Sequence, residues 1–382
     1  MSVAVPGLTA ILAAVFTVLL VDQWRERRHG FQLAWAVGTL CYTLGSGAEA
    51  LAAANGWSEP LYRTWYLAGG LLTAGWLGLG TAFLLARTRF GYAYGALLLF
   101  AGFIALVSAI SPKNAGAGPL PFVYAVGTLG TSVAVFAMSY FASDRWARLV
   151  AAFVVVLSVA GIAVTIAMPA LPAPGYLLNA AGQPVGDAMP PYLRLIAPVM
   201  NISGGGALML GAVFSAYVFM PKRRVLPYSL DPTQPGDQFL FNLLIAVPAI
   251  AVNLVASLPG AVREFFAGRL HSRVPATLLI AAGALVPLVT DSLSVAGSTG
   301  ILALGKLVGI VLLFAGFLVS TEVFREVRIP FTSVRFGTSG REHARRRYAV
   351  ASAAAGEALL GSAAPGSPAA SPSAGPTSSD LP

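Results

Sequence analysis

The chain has 382 residues, of which 57% are hydrophobic and only 10% charged, and its formal net charge is +9. Soluble domains carry about 25% charged residues, so this composition cannot cover itself with a water-facing surface, whereas a bilayer accepts an apolar exterior. The basic excess does not point to nucleic acid, because the arginines flank apolar stretches and form no stripe with interleaved aromatics.

A membrane span needs about 20 apolar residues at 1.5 Å each. Candidate segments in chain order are Val3–Val21, Phe31–Ala54, Thr64–Ala86, Tyr92–Ile110 and Phe122–Phe141. They continue with Leu149–Met168, Leu195–Met220, Phe239–Leu258, Val274–Thr290 and Ile301–Ser320. The expected fold is therefore all-α, a polytopic membrane helix bundle of about 9–10 transmembrane helices. The start, Met1 to Val21, has no basic leader region and reads as a retained first span.

Orientation is read from Lys and Arg between the segments. One set of connections holds Arg25, Arg27, Arg28, Arg87, Arg89, Arg145, Arg148, Lys222, Arg223 and Arg224, ten in all. The alternating set holds three, Arg63, Lys113 and Arg194. Strict alternation of this kind places the N-terminus outside and the basic connections in the cytoplasm. Interfacial aromatics agree, with Trp57, Tyr62, Trp65 and Tyr66 at one boundary and Trp24, Phe90, Tyr92 and Trp146 at the other.

The tail carries Arg325, Arg328, Arg335, Arg341 and Arg345–Arg347, so it too is expected in the cytoplasm. Three crossings after the seventh segment would put it outside. Phe239–Leu258 is therefore assigned as re-entrant, broken at Pro248, Asn253 and Pro259-Gly260. The alternative is ten full crossings with the basic tail outside. Residues 1–321 are expected to form the bundle and 322–347 a basic juxtamembrane segment drawn to anionic lipid. Residues 348–382, rich in Ala, Ser and Pro, are expected to be disordered.

A faint repeat runs through the chain. Arg63, Gly75, Gly80 and Phe83 recur at the spacing of Arg194, Gly206, Gly211 and Phe214. Two parallel halves would produce it, as would coincidence among Gly- and Leu-rich segments. Gly91–Gly95 and Gly305–Gly309 have GxxxG spacing, which serves close helix packing. The triplet Gly204–Gly206 near Pro198 either packs a helix or breaks it.

Ionisable groups in a bilayer are costly, so each is a candidate site. Glu49 follows Gly45-Ser46-Gly47-Ala48, Asp291 closes the ninth segment and Lys306 opens the tenth. Arg63 and Arg194 stand at the outer ends of the third and seventh segments, with Asn201 and Ser203 about two turns deeper than Arg194. The expectation is a polar pocket open to the outside, with Glu49 paired to Arg63 or Arg194 and Asp291 to Lys306. The plainer alternative is that the long side chains snorkel and that Asp291 lies in a loop.

Several chemistries have no support in the residues. His29, His271 and His343 all fall between segments or in the tail, so no bis-His haem is expected in the apolar phase. There is no Cys/His cluster, and Cys41 is the sole cysteine. A P-loop, a G-x-S-x-G elbow and an H-E-x-x-H motif are missing. No cofactor or metal is expected.

The stretch Tyr62-Arg63-Thr64-Trp65-Tyr66-Leu67-Ala68-Gly69-Gly70 and the closing Leu313-Phe314-Ala315-Gly316-Phe317-Leu318-Val319-Ser320 resemble segments of uncharacterised multi-span proteins of high-GC bacteria. That resemblance implies a bacterial inner-membrane location and no particular activity. Three functions compete on the sequence. The first is a permease for a small solute or ion, with Glu49 binding a proton or cation and Asn201 and Ser203 contacting solute. The second is a non-enzymatic sensor or scaffold working through a protein partner on the basic tail. A lipid-modifying enzyme is the third, and it lacks the clustered His, Asp or Ser such chemistry uses.

Overall fold

The structure is a computed structural model. It describes residues 3–319, except 115, 117, 142–143, 181, 222, 224, 228–235, 268–269, 272 and 296–300, together with 327–328 and 335–336. The described chain is almost wholly helical. In order the helices are α1 (Ala4–Arg27), α2 (Gly30–Asn55), α3 (Glu59–Thr64), α4 (Thr73–Leu84), α5 (Phe90–Ala109) and α6 (Leu120–Tyr140). Then come α7 (Arg145–Ala167), α8 (Pro191–Arg194), α9 (Ile196–Phe219), α10 (Gly236–Phe266), α11 (Arg273–Val295) and α12 (Ile301–Val319). These helices belong to one compact unit. A second unit contains the antiparallel pair β1 (Val327–Arg328) and β2 (Arg335–Phe336). Beyond that pair, the expectations for 322–347 and 348–382 lie outside the described residues.

Among the described residues, eight helical stretches are long and apolar enough to cross a membrane. Helix α2 is 26 residues long but less apolar, because it carries Gln32, Thr39, Thr43, Ser46 and Glu49. It is packed between α1 and α4. Many large apolar side chains face outward, among them Ile11, Phe103, Val126 and Ile166, while Trp146, Tyr62, Tyr94 and Phe16 are fully buried. Small residues make the closest helix contacts. A Cβ built on Gly78 would lie 2.4 Å from the Gly204 Cα, so α4 and α9 touch backbone to backbone.

The helices have two distinct ends. One, the arginine end, gathers the α1–α2, α4–α5 and α6–α7 connections. There the Trp146 indole donates to the Ala86 carbonyl at 2.9 Å, tying the start of α7 to the end of α4. The other, the loop end, holds the segment between α7 and α8. The Tyr62 hydroxyl donates to Val185 of that segment, and a bridge joins Leu178 to Pro184 within it.

Several expectations change. Helix α9 runs unbroken past Pro198 and Gly204–Gly206, so the triplet packs the helix and does not break it. Gly91 and Gly95 face Ser139 and Phe136, and Gly305 and Gly309 face Thr290 and Pro287, so both GxxxG pairs are spent inside the chain. Helix α10 is continuous for 31 residues through Pro248 and Pro259. The break required for a re-entrant segment is not there. Helix α11 continues to Val295, which places Asp291 on a helix and not in the loop of the plainer alternative; its side chain lies outside the described residues. The repeat has a partial structural echo. Helices α4 and α9 pack side by side in parallel, with Gly75 against Met200 and Gly211 against Thr81. Each follows a short helix that has Pro in its first turn and ends near an arginine.

Candidate functional site

The centre of interest is Glu49, 4% exposed on α2, one turn beyond Gly45. Helix α2 can bury a carboxylate here because its neighbour comes very close. A Cβ on Gly45 would lie 2.7 Å from the Gly69 Cα. Gly69 belongs to a π-helical segment, Trp65–Leu72, that links α3 to α4. The two segments run antiparallel, so Trp65, four residues before Gly69, meets Glu49, four residues after Gly45. The Trp65 indole N–H donates to Glu49 Oε1 at 2.7 Å.

The same oxygen accepts from the Lys306 ammonium of α12. Lys306 is held in place by its own backbone, whose carbonyl accepts from the Tyr42 hydroxyl at 2.7 Å. Tyr42 and Glu49 are seven residues apart and share one face of α2. Below them, Trp35 packs edge-on against Phe317 at 4.6 Å between centroids, which fixes α12 antiparallel to α2. Phe16 of α1 meets Phe314 at 5.1 Å, so α12 is parallel to α1. A buried charge is tolerated only when paired and hydrogen-bonded, and Glu49 has both a cation and a neutral donor on one oxygen.

Glu49 therefore pairs with neither Arg63 nor Arg194. Arg63 forms an ion pair with Glu59, one turn earlier on α3. Its guanidinium also donates to the carbonyls of Thr165 at 2.9 Å and Pro169 at 2.7 Å. Those are carbonyls that the end of α7 leaves without helical partners, and a planar guanidinium suits several at once. Glu59 in turn accepts from the Leu171 N–H at 3.0 Å. Arg194 pairs with Asp187 at 3.0 Å and reaches Asn114 at 3.2 Å. Both arginines pin the loop end together, and short sequence distance hid that: their acids stand four and seven residues away.

Asn201 and Ser203 also have local tasks. A π-helical turn displaces backbone carbonyls from their ordinary donors. The Asn201 amide donates to one of them, Gly70, at 2.9 Å. Ser203 donates to the Val199 carbonyl at 2.6 Å within α9. Neither is brought to Glu49. Lys306, expected to snorkel or to meet Asp291, instead turns inward to Glu49, with 24% of its side chain exposed.

Trp65 and Tyr42 were not among the residues expected in the pocket. A signal for each existed in the sequence. Tyr42 is two turns before Glu49 on the same helix face, and Trp65 precedes the Gly69-Gly70 pair that permits close approach. Around Trp65 the rings of Trp57, Tyr62 and Tyr66 form a cluster, with centroid distances of 5.5 to 6.3 Å. Tyr66 in turn lies against Gly186 of the loop. The Trp65 ring that bonds Glu49 thus belongs to an aromatic cluster that reaches the loop. Among the described residues no group of three or more His, Cys, Asp or Glu could hold a metal ion.

Comparison of the chain with family models, with curated proteins and with solved structures found no match.

Proposed function

We propose that the protein is a multi-pass permease of the bacterial inner membrane, moving a small solute or ion, with the Glu49–Lys306 pair as its coupling site. The arginine end then faces the cytoplasm and the loop end faces outward. The observation that carries the reading is the ion pair itself. A carboxylate and an ammonium facing one another between apolar helices are costly to keep for stability alone, since apolar residues of similar volume often serve as well. In membranes such groups mark ion and proton paths.

The mechanism follows from competition for one oxygen. A proton that neutralises Glu49, or a small cation that takes the place of the ammonium on its oxygen, weakens the hold on Lys306. Lys306 is then free to leave, and it belongs to the α11–α12 hairpin, whose helices are packed tightly together through Gly305, Gly309 and Gly283. Release of the ammonium would allow the hairpin to shift against α2 as a unit. The Trp57, Tyr62 and Trp65 rings would act as the outer gate, because the Trp65 indole then donates to a neutralised carboxyl and is held less firmly.

The test uses the full chain in proteoliposomes loaded with a pH-sensitive dye. They are challenged with amino acids, sugars, Na+ and K+. The expected result is a solute- or ion-dependent pH change or charge movement, abolished in Glu49→Gln. Silence of the wild type across the panel, or activity unchanged in Glu49→Gln, would overturn the proposal. The competing scaffold reading depends on the basic tail, which apart from the β1–β2 pair lies outside the described residues, and no observation in the bundle favours it.

A further inference from the structure

Helix α10 carries a second relationship with the membrane, independent of Glu49. Its place is set by its neighbours. Tyr217 and Met220, at the end of α9, pack with Ala261 of α10 and with Val274 at the start of α11. Phe219 stacks on His271 at 5.1 Å, and the Arg273 guanidinium lies 4.2 Å from the Phe219 ring. The end of α9 and the start of α11 are therefore at the same end of the bundle, the arginine end. A single helix between two points on one side cannot cross once.

The chain leaving α9 confirms where α10 runs. Arg223 N–H donates to Ser257 Oγ at 2.9 Å. Val225 and Leu226 N–H groups donate to Asn253 Oδ1 at 2.7 and 2.9 Å, and Asn253 returns its amide to the Leu226 carbonyl at 2.8 Å. The segment thus lies antiparallel along the second half of α10 as a strap. Such irregular backbone is not tolerated against lipid tails, so the strap belongs above them, and the helix face bound to it belongs there too.

The two faces of α10 differ sharply. Ala249, Asn253, Ser257 and Ala261 are buried at four-residue intervals. On the opposite face Pro248, Val252, Val255, Pro259, Val262 and Phe266 are exposed, at alternating spacings of four and three residues. Val255 is 64% and Phe266 83% exposed, too apolar a stripe to leave in water. Arg263 on the helix is exposed beside it, with Glu264 as the acidic neighbour, and Arg223 is exposed on the strap.

We infer that α10 lies in the plane of the cytoplasmic leaflet, with this stripe seated among the acyl chains and its arginines among anionic headgroups. Lipid is the occupant for two reasons. The adjoining bundle already presents an apolar exterior to the bilayer, and the charges beside the stripe match anionic lipid. In-plane helices of this kind bury their apolar face about 5–10 Å into the headgroup boundary. On this geometry the chain makes nine crossings, α10 excluded, and the tail after α12 emerges in the cytoplasm.

The test measures depth. Val252→Cys, Val255→Cys, Val262→Cys and Phe266→Cys are made singly in a Cys41→Ser background and spin-labelled. The full chain is reconstituted in vesicles of phosphatidylcholine and phosphatidylglycerol. Depth is read from collisions with oxygen and with a water-soluble nickel complex. The expected result is one shallow depth for all four labels. A crossing helix would instead spread Val252 and Phe266 over about 20 Å of depth, and that gradient overturns the inference. Labels fully open to the nickel complex, or broadened by a second copy, also overturn it, since they would show water or protein on the face. Leu278→Cys and Leu285→Cys on α11 serve as the folding control and should differ in depth from one another.

Discussion

Lys306 and Glu49 meet across 257 residues of chain, and the oxygen that receives the ammonium is also the one that receives the Trp65 indole. Two donors on one carboxylate oxygen, in an apolar setting, give the pair a property that an isolated surface pair lacks. Removing either donor weakens the hold on a carboxylate that is only 4% exposed.

Breaking the pair from one side is therefore expected to hurt more than removing it altogether. Lys306→Met alone should cost about 3 kcal/mol, the low end for a buried pair because part of the lysine side chain is exposed. The double variant Lys306→Met with Glu49→Gln should recover most of that. Reversible unfolding in mixed micelles measures both; a double variant as damaged as the single would show that packing, and not charge, is what the site requires.

Trp65→Phe removes the indole donor and keeps a ring. A hydrogen bond to a charged group contributes about 1.5–3 kcal/mol. We expect a loss of stability near the lower figure and a faster release of Lys306, read as larger charge movements in the proteoliposome assay. Charge movements smaller than the wild type's would contradict the proposed role of Trp65 in a gate.

Asn201→Ala should destabilise the protein by about 1 kcal/mol, the usual size of an interhelical hydrogen bond in a membrane. It should leave the solute or ion preference of the proposed permease unchanged, because the amide serves the Gly70 carbonyl and not the pocket. A changed preference would return Asn201 to the solute path.

Close approach at glycine predicts a graded response. Gly78→Ala places a Cβ 2.4 Å from the Gly204 Cα and should lower folded yield sharply, by about 1–3 kcal/mol or more. Gly45→Ala, facing the Gly69 backbone, should do likewise and should also disturb Glu49. Gly47→Ala, with nothing within 4 Å, is the neutral control. Detergent size-exclusion profiles of the three variants compare them directly.

Much of the helix layout was legible in the amino-acid order because span length and apolarity are one-dimensional properties. Each of the ten apolar segments coincides with a described helix, though residues 65–72 are π-helical and α3 and α8 are separate short turns of helix. The arginines between them are likewise a property of chain order. Partner choice is not. Glu49 was legible as the unusual carboxylate, but Arg63 and Arg194 looked equally able to reach it. Each of those has a nearer acid, and Lys306 arrives only because α12 returns antiparallel to α2.

Composition and charge order by themselves determined that this chain is a bundle of long apolar helices with a basic side, since those follow from local hydrophobicity and need no knowledge of neighbours. Only the tertiary structure decided that Lys306 neutralises Glu49, that Asn201 serves the π-helical Gly70, and that α10 is unbroken and strapped by Asn253 and Ser257. Each of these depends on which helix faces which, and at what depth. That is set by glycine contacts such as Gly45 on Gly69 and Gly78 on Gly204, where the absence of two side chains, far apart in the chain, lets two backbones meet.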